Sequence, residues 1–216
     1  LARENVVDAY GHVSIRHPDN PERYLMSRSR SPELVTLGDI IEFTLDGEPV
    51  NDDRTPYAER HIHGAIYEAR PEVKSVVHNH SHAVIPYGVT PVPLKPVAHV
   101  GASIGKEIPV WDIRHNFGDT NLLVVNMEQG RDLAGCLGGN NVVLMRGHGC
   151  AVTGTSVQGA VMTSIYLQVN AQLLQDTLNM SEQVEYLSDG EIDQCAEIFL
   201  SDFSVRRAWE YFQRRA

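Results

Sequence analysis

Cysteine is scarce in this chain: Cys136, Cys150 and Cys195 are the only three in 216 residues. An odd number at wide spacing supports neither a disulfide framework nor a Cys-x-x-Cys metal site, and it suits a reducing cytoplasm. Cys150 lies close to His148, so a nucleophilic thiol and a small buried packing residue are both open readings for it. Positive charge is short as well, with 18 Lys and Arg against 28 Asp and Glu and a formal net charge of -10. That balance argues against a nucleic-acid binder, which needs clustered basic side chains to neutralise phosphate. The nearest basic group, Arg206, Arg207, Arg214 and Arg215, has Glu210 among it and reads as a solvated helix face. No apolar run approaches the ~18 residues of a transmembrane helix, and no signal-peptide pattern is present. Because the chain opens at Leu1 rather than methionine, a preceding segment is expected and targeting stays open. Repeats, low-complexity tracts and dividing linkers are missing too, so residues 1–216 read as one domain.

What is present alternates strand and helix signals. Short apolar runs at Tyr24–Met26, Ile40–Thr44, Val73–Val77, Leu122–Val125, Val142–Met145 and Ala151–Thr153 predict strands. Asp46-Gly47 signals a hairpin between the second of these and the segment around Pro49. Thr55-Pro56 reads as N-cap and first turn of a helix reaching Arg70. Asn126 with Gln129 opens a helix that ends at Gly138-Gly139. Thr155 with Gln158 forms a capping-box pattern before a helix with apolar positions Val157, Val161, Ile165, Val169 and Leu173. Ser188 with Glu191 opens another, and Val205–Gln213 a last one. The proline- and glycine-rich stretch from Pro86 to Phe117 is expected to hold short strands and to be functional or interfacial.

The histidines carry the chemistry. His78, His80 and His82 follow an apolar run, and on a strand residues i and i+2 share a face, so His78 and His80 can converge on one ion. Met145-Arg146-Gly147-His148-Gly149 places a histidine between glycines at a strand end, where the backbone can turn sharply and approach another group. Glu59 lies one place beyond the reciprocal capping-box position of the Thr55 helix. It fits an exposed first-turn acid favoured by the helix dipole, or a carboxylate serving as ligand, as general acid/base, or as both. Three imidazoles leaving an open position are the arrangement of a catalytic metal site.

In this order Glu59, Val77-His78-Asn79-His80 and Gly147-His148-Gly149 resemble the class II aldolase/adducin family over about residues 11–177. The resemblance implies an α/β, three-layer α/β/α fold around a mostly antiparallel central sheet. It further implies a divalent ion (manganese, zinc or cobalt) on His78, His80 and His148, and a homotetramer with active sites between subunits. Adducin-like members lack the metal ligands, whereas this chain keeps all of them.

The sugar-phosphate aldolases of that family hold phosphate with Gly-Asn-x-Ser, Thr-Pro-x-Gly and Ser-Ser. The matching places here read Gly11-His12-Val13-Ser14, Ser27-Arg28-Ser29-Arg30 and Tyr57-Ala58. Those replacements remove a phosphate cradle and install guanidinium groups that match carboxylates. A surface turn paired with local acids is the other reading of Arg28 and Arg30. The stretches Val7–Ser14 and Ser27–Val35 look like the aromatic decarboxylases of the family, which act on 3,4-dihydroxyphthalate and on 3-hydroxy-2-methylpyridine-4,5-dicarboxylate. A metal-dependent, non-oxidative decarboxylase of a hydroxylated aromatic dicarboxylate is therefore expected, with an aldolase or dehydratase of a hydroxy-carbonyl compound as the alternative. On that reading Glu59 donates or relays the proton and Arg28 or Arg30 holds the second carboxylate. His12, Ser29 and His99 meet the substrate, Arg146 assists, and Tyr211 (with Trp209) reaches a neighbouring subunit's pocket. His63 matches a family position and is read as structural; His82 is left out because a fourth imidazole would close the site.

Overall fold

The computed structural model describes residues 1–216 and contains one seven-stranded sheet. Its strands are β1 (His12–Arg16), β2 (Arg23–Ser27), β3 (Ile40–Thr44), β4 (Ser75–Asn79), β5 (Val110–Trp111), β6 (Val142–Met145) and β7 (Gly149–Gly154). They lie in the order β3-β2-β1-β4-β7-β6-β5, antiparallel throughout except for the parallel β5–β6 pair. The helices are α1 (Arg60–Ala69), α2 (Arg114–Phe117), α3 (Met127–Leu137), α4 (Val157–Met180), α5 (Asp189–Phe199) and α6 (Asp202–Arg215).

Side-chain alternation splits the interior into two cores, one on each face of the sheet. Val76, Val143, Met145 and Ala151 pack with Ile62, Ile66 and Leu133 of α1 and α3. Val77, Val142, Leu144 and Val152 pack on the other side with Ala160, Leu167, Ala171 and Leu174 of α4. Strands buried on both faces appear in sequence as unbroken apolar runs, and this is how Val142–Met145 reads. Burying each large aliphatic side chain contributes about 1.5–3 kcal/mol. The result is the expected α/β/α layering, with β4 and β7 at the centre of the sheet.

Several local expectations are corrected. Helix α1 begins at Arg60, not Pro56. Thr55 gives its carbonyl to the Ser29 N–H at 2.8 Å, and Arg54 ties its segment to the Ile40 carbonyl at 2.9 Å. These tertiary bonds hold the chain off the helix until Glu59. The cap of α4 is Ser156, which accepts from the Gly159 N–H, rather than Thr155. Leu122–Val125 is no strand, since Leu122 sits at φ +67°. Pro86–Phe117 holds only the two-residue β5 besides 3₁₀ turns and α2. The apolar stripe expected on α4 does not face the core along its length: Val169 and Leu173 are exposed. Asn126 and Ser188 cap α3 and α5 as expected, and Phe43 bridges Pro49 across the Asp46-Gly47 turn.

Gly64 marks where α1 crosses this hairpin, because a Cβ there would stand 2.0 Å from the Leu45 carbonyl oxygen. Gly64→Ala is expected to lower stability by about 1–3 kcal/mol through overpacking, read as a lower urea midpoint at unchanged slope. Gly135→Ala lies on an open face of α3, where an added Cβ would meet nothing within 4 Å. It should instead raise stability by about 0.5–1 kcal/mol.

Candidate metal centre

Four segments bring ligand atoms to one point beside the centre of the sheet. His78 is on β4, flanked by His12 of β1 and Ala151 of β7. His80 follows just past the end of β4, His148 occupies the β6–β7 turn, and Glu59 precedes α1. The Nε2 atoms of His78 and His80 are 3.0 Å apart. Glu59 Oε2 is 3.5 Å from His78 Nε2 and 3.5 Å from His148 Nε2. All four ligand atoms lie within 4.8 Å of one another.

The backbone fixes which imidazole nitrogen faces inward. His78 Nδ1 donates to the Cys150 carbonyl at 3.1 Å, and His148 Nδ1 donates to the Leu122 carbonyl at 3.0 Å. With Nδ1–H so engaged, each neutral ring turns its Nε2 lone pair toward the cluster, the orientation a metal ligand needs. His148 Nε2 is buried and has no hydrogen-bond partner, an orphan that a divalent ion would satisfy. Glu59 is held by the Val124 N–H on Oε1 at 3.1 Å, leaving Oε2 for the ion. The irregular Leu122–Val125 segment thus spends its backbone groups on the site instead of on a strand ladder. Gly147 takes φ +67°, and a Cβ at Gly149 would meet the Asn79 carbonyl at 2.2 Å, so both glycines permit the close approach of this turn.

Electrostatics suit a cation. Burial pushes the Glu59 carboxyl up, but positive charge on His78 and then on His148 outweighs it and holds the group well below the usual carboxylate range, a charge that a divalent ion would supply once the imidazoles are neutral ligands. It is therefore ionised, the state of a ligand or base rather than of a resting acid. Burial, then His78 and His148, push His80 down to about 4, so its ring is neutral and free to ligate near neutral pH. Burial pushes the Cys150 thiol up to about 12, which leaves it the small packing residue of the two readings.

A cavity of about 450 Å³ opens on the cluster, lined by His12, Ser29, Arg30, Tyr57, Glu59 and His80 among others. Arg28 and Arg30 both bind Asp39, at 2.7 and 2.9 Å, which makes the local-acid reading true of each. Only Arg30 also borders the cavity. Arg146 pairs with Asp112 at 2.8 Å near the end of β6. The His99 ring packs on Phe199 with centroids 5.4 Å apart, and Tyr211 is exposed on α6 beside Phe212. Within one chain none of Arg28, Arg146, His99 or Tyr211 borders the cavity. His82 lines a separate groove with Gln168 and Leu173. A larger cavity of about 610 Å³ lies between the N-terminal turn, α4 and α6. We place the chemistry in the smaller one because Glu59 and His80 open there. Sequence reasoning missed Tyr10 and Tyr57 as cavity walls; the aromatic standing in place of a serine at Tyr57 was the available signal.

One equivalent of zinc or manganese should bind per chain and raise the melting temperature, an effect EDTA reverses. His80→Ala is expected to weaken binding, measured calorimetrically, by more than the about 10- to 100-fold that loss of an outer hydrogen bond costs. The Asp39 clamp gives a pH prediction. The Thr36 N–H, then the Thr36 hydroxyl and Arg28, hold its carboxyl well below the usual range against the upward push of burial. A depressed folded value means its stabilisation is complete above the unfolded carboxyl value of about 4 and is lost as pH falls below it. Asp39→Asn should therefore lower the urea midpoint at pH 7, and the gap from the parent should close at strongly acidic pH.

The fold and sequence have clear relatives. An aldolase II superfamily protein from Pseudomonas syringae superposes with a TM-score of 0.80 at 20% identity, covering 99% of this chain and 86% of that one. Decarboxylase tropJ of Talaromyces stipitatus is 34% identical over 99% of this chain and 89% of its own length. The 3,4-dihydroxyphthalate decarboxylase of Arthrobacter keyseri is 25% identical over 98% of this chain and 87% of its own. The sequence profile of the class II aldolase and adducin N-terminal domain matches residues 1–174, and the chain belongs to that family.

Proposed function

We propose that this protein is a divalent-metal-dependent, non-oxidative decarboxylase of a hydroxylated aromatic dicarboxylate. One observation carries the reading: Glu59 and His80, two of the four clustered metal-ligating groups, open on the same cavity as a guanidinium, Arg30, and an aromatic wall, Tyr57. The decarboxylases among the relatives support the reaction class, and the substrate that gives one of them its name, 3,4-dihydroxyphthalate, supports the substrate class.

His78, His80 and His148 would hold the ion with Glu59 beside them; manganese, zinc and cobalt all suit imidazole with carboxylate. A bound divalent ion supplies Lewis-acid stabilisation of negative charge developing on the substrate's oxygens. The protein's own groups do the rest. Arg30 forks onto the carboxylate that stays, and the Tyr57 ring flanks the substrate ring. Glu59, already ionised, takes the proton of the hydroxyl beside the departing carboxylate and returns it to the ring carbon bearing that carboxylate. The carbon–carbon bond then breaks, carbon dioxide leaves, and the bond's electron pair restores the aromatic ring. Glu59 is thus a relay rather than a standing acid, with Ser29 in a supporting place at the rim and Arg146 held outside the cavity by Asp112. A cytoplasmic location accords with three free cysteines. A homotetramer would cover the exposed Val169, Leu173 and Phe203 and carry His99 and Tyr211 toward a neighbouring site. An aldolase or dehydratase of a hydroxy-carbonyl compound remains the second reading, favoured by the fold shared with an L-fuculose 1-phosphate aldolase.

Manganese-loaded protein is expected to release carbon dioxide from 3,4-dihydroxyphthalate or from 3-hydroxy-2-methylpyridine-4,5-dicarboxylate, and EDTA to abolish the release. Glu59→Gln should keep the ion on three imidazoles yet lower kcat by about 10²- to 10⁴-fold. Arg30→Ala should raise KM by roughly 10- to 100-fold, the worth of a charge-assisted pair, while Arg28→Ala should change KM far less. Equal effects of the two arginines would overturn the assignment to Arg30.

A further inference from the structure

Beneath the cavity a buried hydrogen-bonded chain runs from β1 to α1 that the proposed reaction has not used. Tyr67 OH and Ser14 Oγ are 2.7 Å apart, Ser14 Oγ and His63 Nδ1 are 2.6 Å apart, and His63 Nε2 and His12 Nδ1 are 2.6 Å apart. Exposure does not exceed 6% for any of these four residues. Local geometry explains the alignment: His12 and Ser14 share a face of β1 by strand alternation, and His63 and Tyr67 share a face of α1 one turn apart.

The polarity of this chain is decided at its closed end. The Tyr67 hydroxyl has Ser14 Oγ as its only acceptor, its other neighbour, the Val76 backbone N–H, being a donor. Were Ser14 to donate to Tyr67, the phenolic hydrogen would be buried without an acceptor, which is strongly unfavourable. Tyr67 therefore donates to Ser14, and the single hydroxyl hydrogen of Ser14 goes to His63 Nδ1. His63, accepting at Nδ1, carries its hydrogen on Nε2 and donates it to His12 Nδ1. His12, accepting at Nδ1, carries its hydrogen on Nε2. That nitrogen has no partner in the protein and is not among the sealed polar atoms, and His12 lines the 450 Å³ cavity as well as bordering the 610 Å³ one.

We propose that Tyr67, Ser14 and His63 are positioning residues that fix His12 as a neutral Nε2–H donor, which recognises an anionic carboxylate oxygen of the substrate beside Arg30. The proposal deepens the decarboxylase reading and rests on it for the identity of the substrate. His12 stands where the sugar-phosphate aldolases resembled by this chain carry asparagine; an amide offers donor and acceptor alike, whereas this imidazole presents a donor alone. Discrimination follows from that polarity. A carboxylate can accept from His12, while a neutral group that only donates would leave the Nε2–H facing another donor.

The test combines a tautomer readout that needs no turnover with steady-state kinetics. Long-range 1H–15N correlation spectra of the zinc-loaded protein should show His12 with Nδ1 unprotonated and Nε2 protonated. Ser14→Ala frees His63 Nδ1 and should give mixed tautomers at both histidines. The same variant should raise KM for 3,4-dihydroxyphthalate by about 5- to 10-fold, one neutral hydrogen bond's worth, with kcat within twofold. His63→Gln keeps an amide N–H for His12 and a carbonyl for Ser14, so it should retain the His12 tautomer and near-parental KM, whereas His63→Leu should not. Two results would overturn the proposal: a hydrogen on His12 Nδ1 in the parent, or Ser14→Ala leaving both tautomer and KM unchanged. If neither aromatic dicarboxylate releases carbon dioxide while the tautomer pattern holds, the decarboxylase reading fails and the relay stands.

Discussion

Two imidazole Nδ1–H groups donated to backbone carbonyls are the constraint around which this site is organised. His78 gives its proton to Cys150 O and His148 gives its proton to Leu122 O. Each bond fixes a tautomer and a ring plane, and each demands that a particular piece of backbone stand still. Cys150 is held because β7 is ladder-bonded between β4 and β6 at the centre of the sheet. Leu122 is held because its neighbours are bonded in turn: Val124 to Glu59 and Val125 to Gln129 of α3. The same short segment therefore orients an imidazole and a carboxylate at once. The candidate metal centre is a meeting of backbone positions first and of side chains second.

Charge placement follows from that frame. Glu59 is buried beside two imidazoles, and its neighbours keep it ionised despite the cost of desolvation. Asp39, also buried, gathers Arg28 and Arg30 and leaves the two guanidiniums with one positive charge in excess. The cavity is thus anion-receptive at its rim and cation-receptive at its floor. The proposed substrate, a small dicarboxylate with an oxygen beside one carboxyl, would meet both ends.

Much of this was legible in the sequence because the signals are periodic or local. His-x-His after an apolar run is a strand pattern, and a histidine between glycines marks a tight turn; both placed imidazoles that the fold brings together. Ser188 and Asn126 announced helix starts through contacts only three residues long. The misreadings share a cause, since long-range bonds overrode local preference. Thr55-Pro56 looked like a helix start, yet the Thr55 carbonyl serves Ser29 and the helix waits until Arg60. Leu122–Val125 looked like a strand, yet its amides and carbonyl serve Glu59, Gln129 and His148. Arg28 and Arg30 were indistinguishable in sequence; only the placement of the cavity separates them. The Tyr67–Ser14–His63–His12 chain spans some fifty residues of sequence, and no pattern within either segment reveals it.

The most direct test of metal-dependent decarboxylation is to titrate the metal-free protein with manganese while recording carbon dioxide release from 3,4-dihydroxyphthalate and 3-hydroxy-2-methylpyridine-4,5-dicarboxylate. Release from one of the two is expected to rise in proportion to metal and to break sharply at one equivalent per chain. Full release before any metal is added, or none from either compound once the site is saturated, would contradict it.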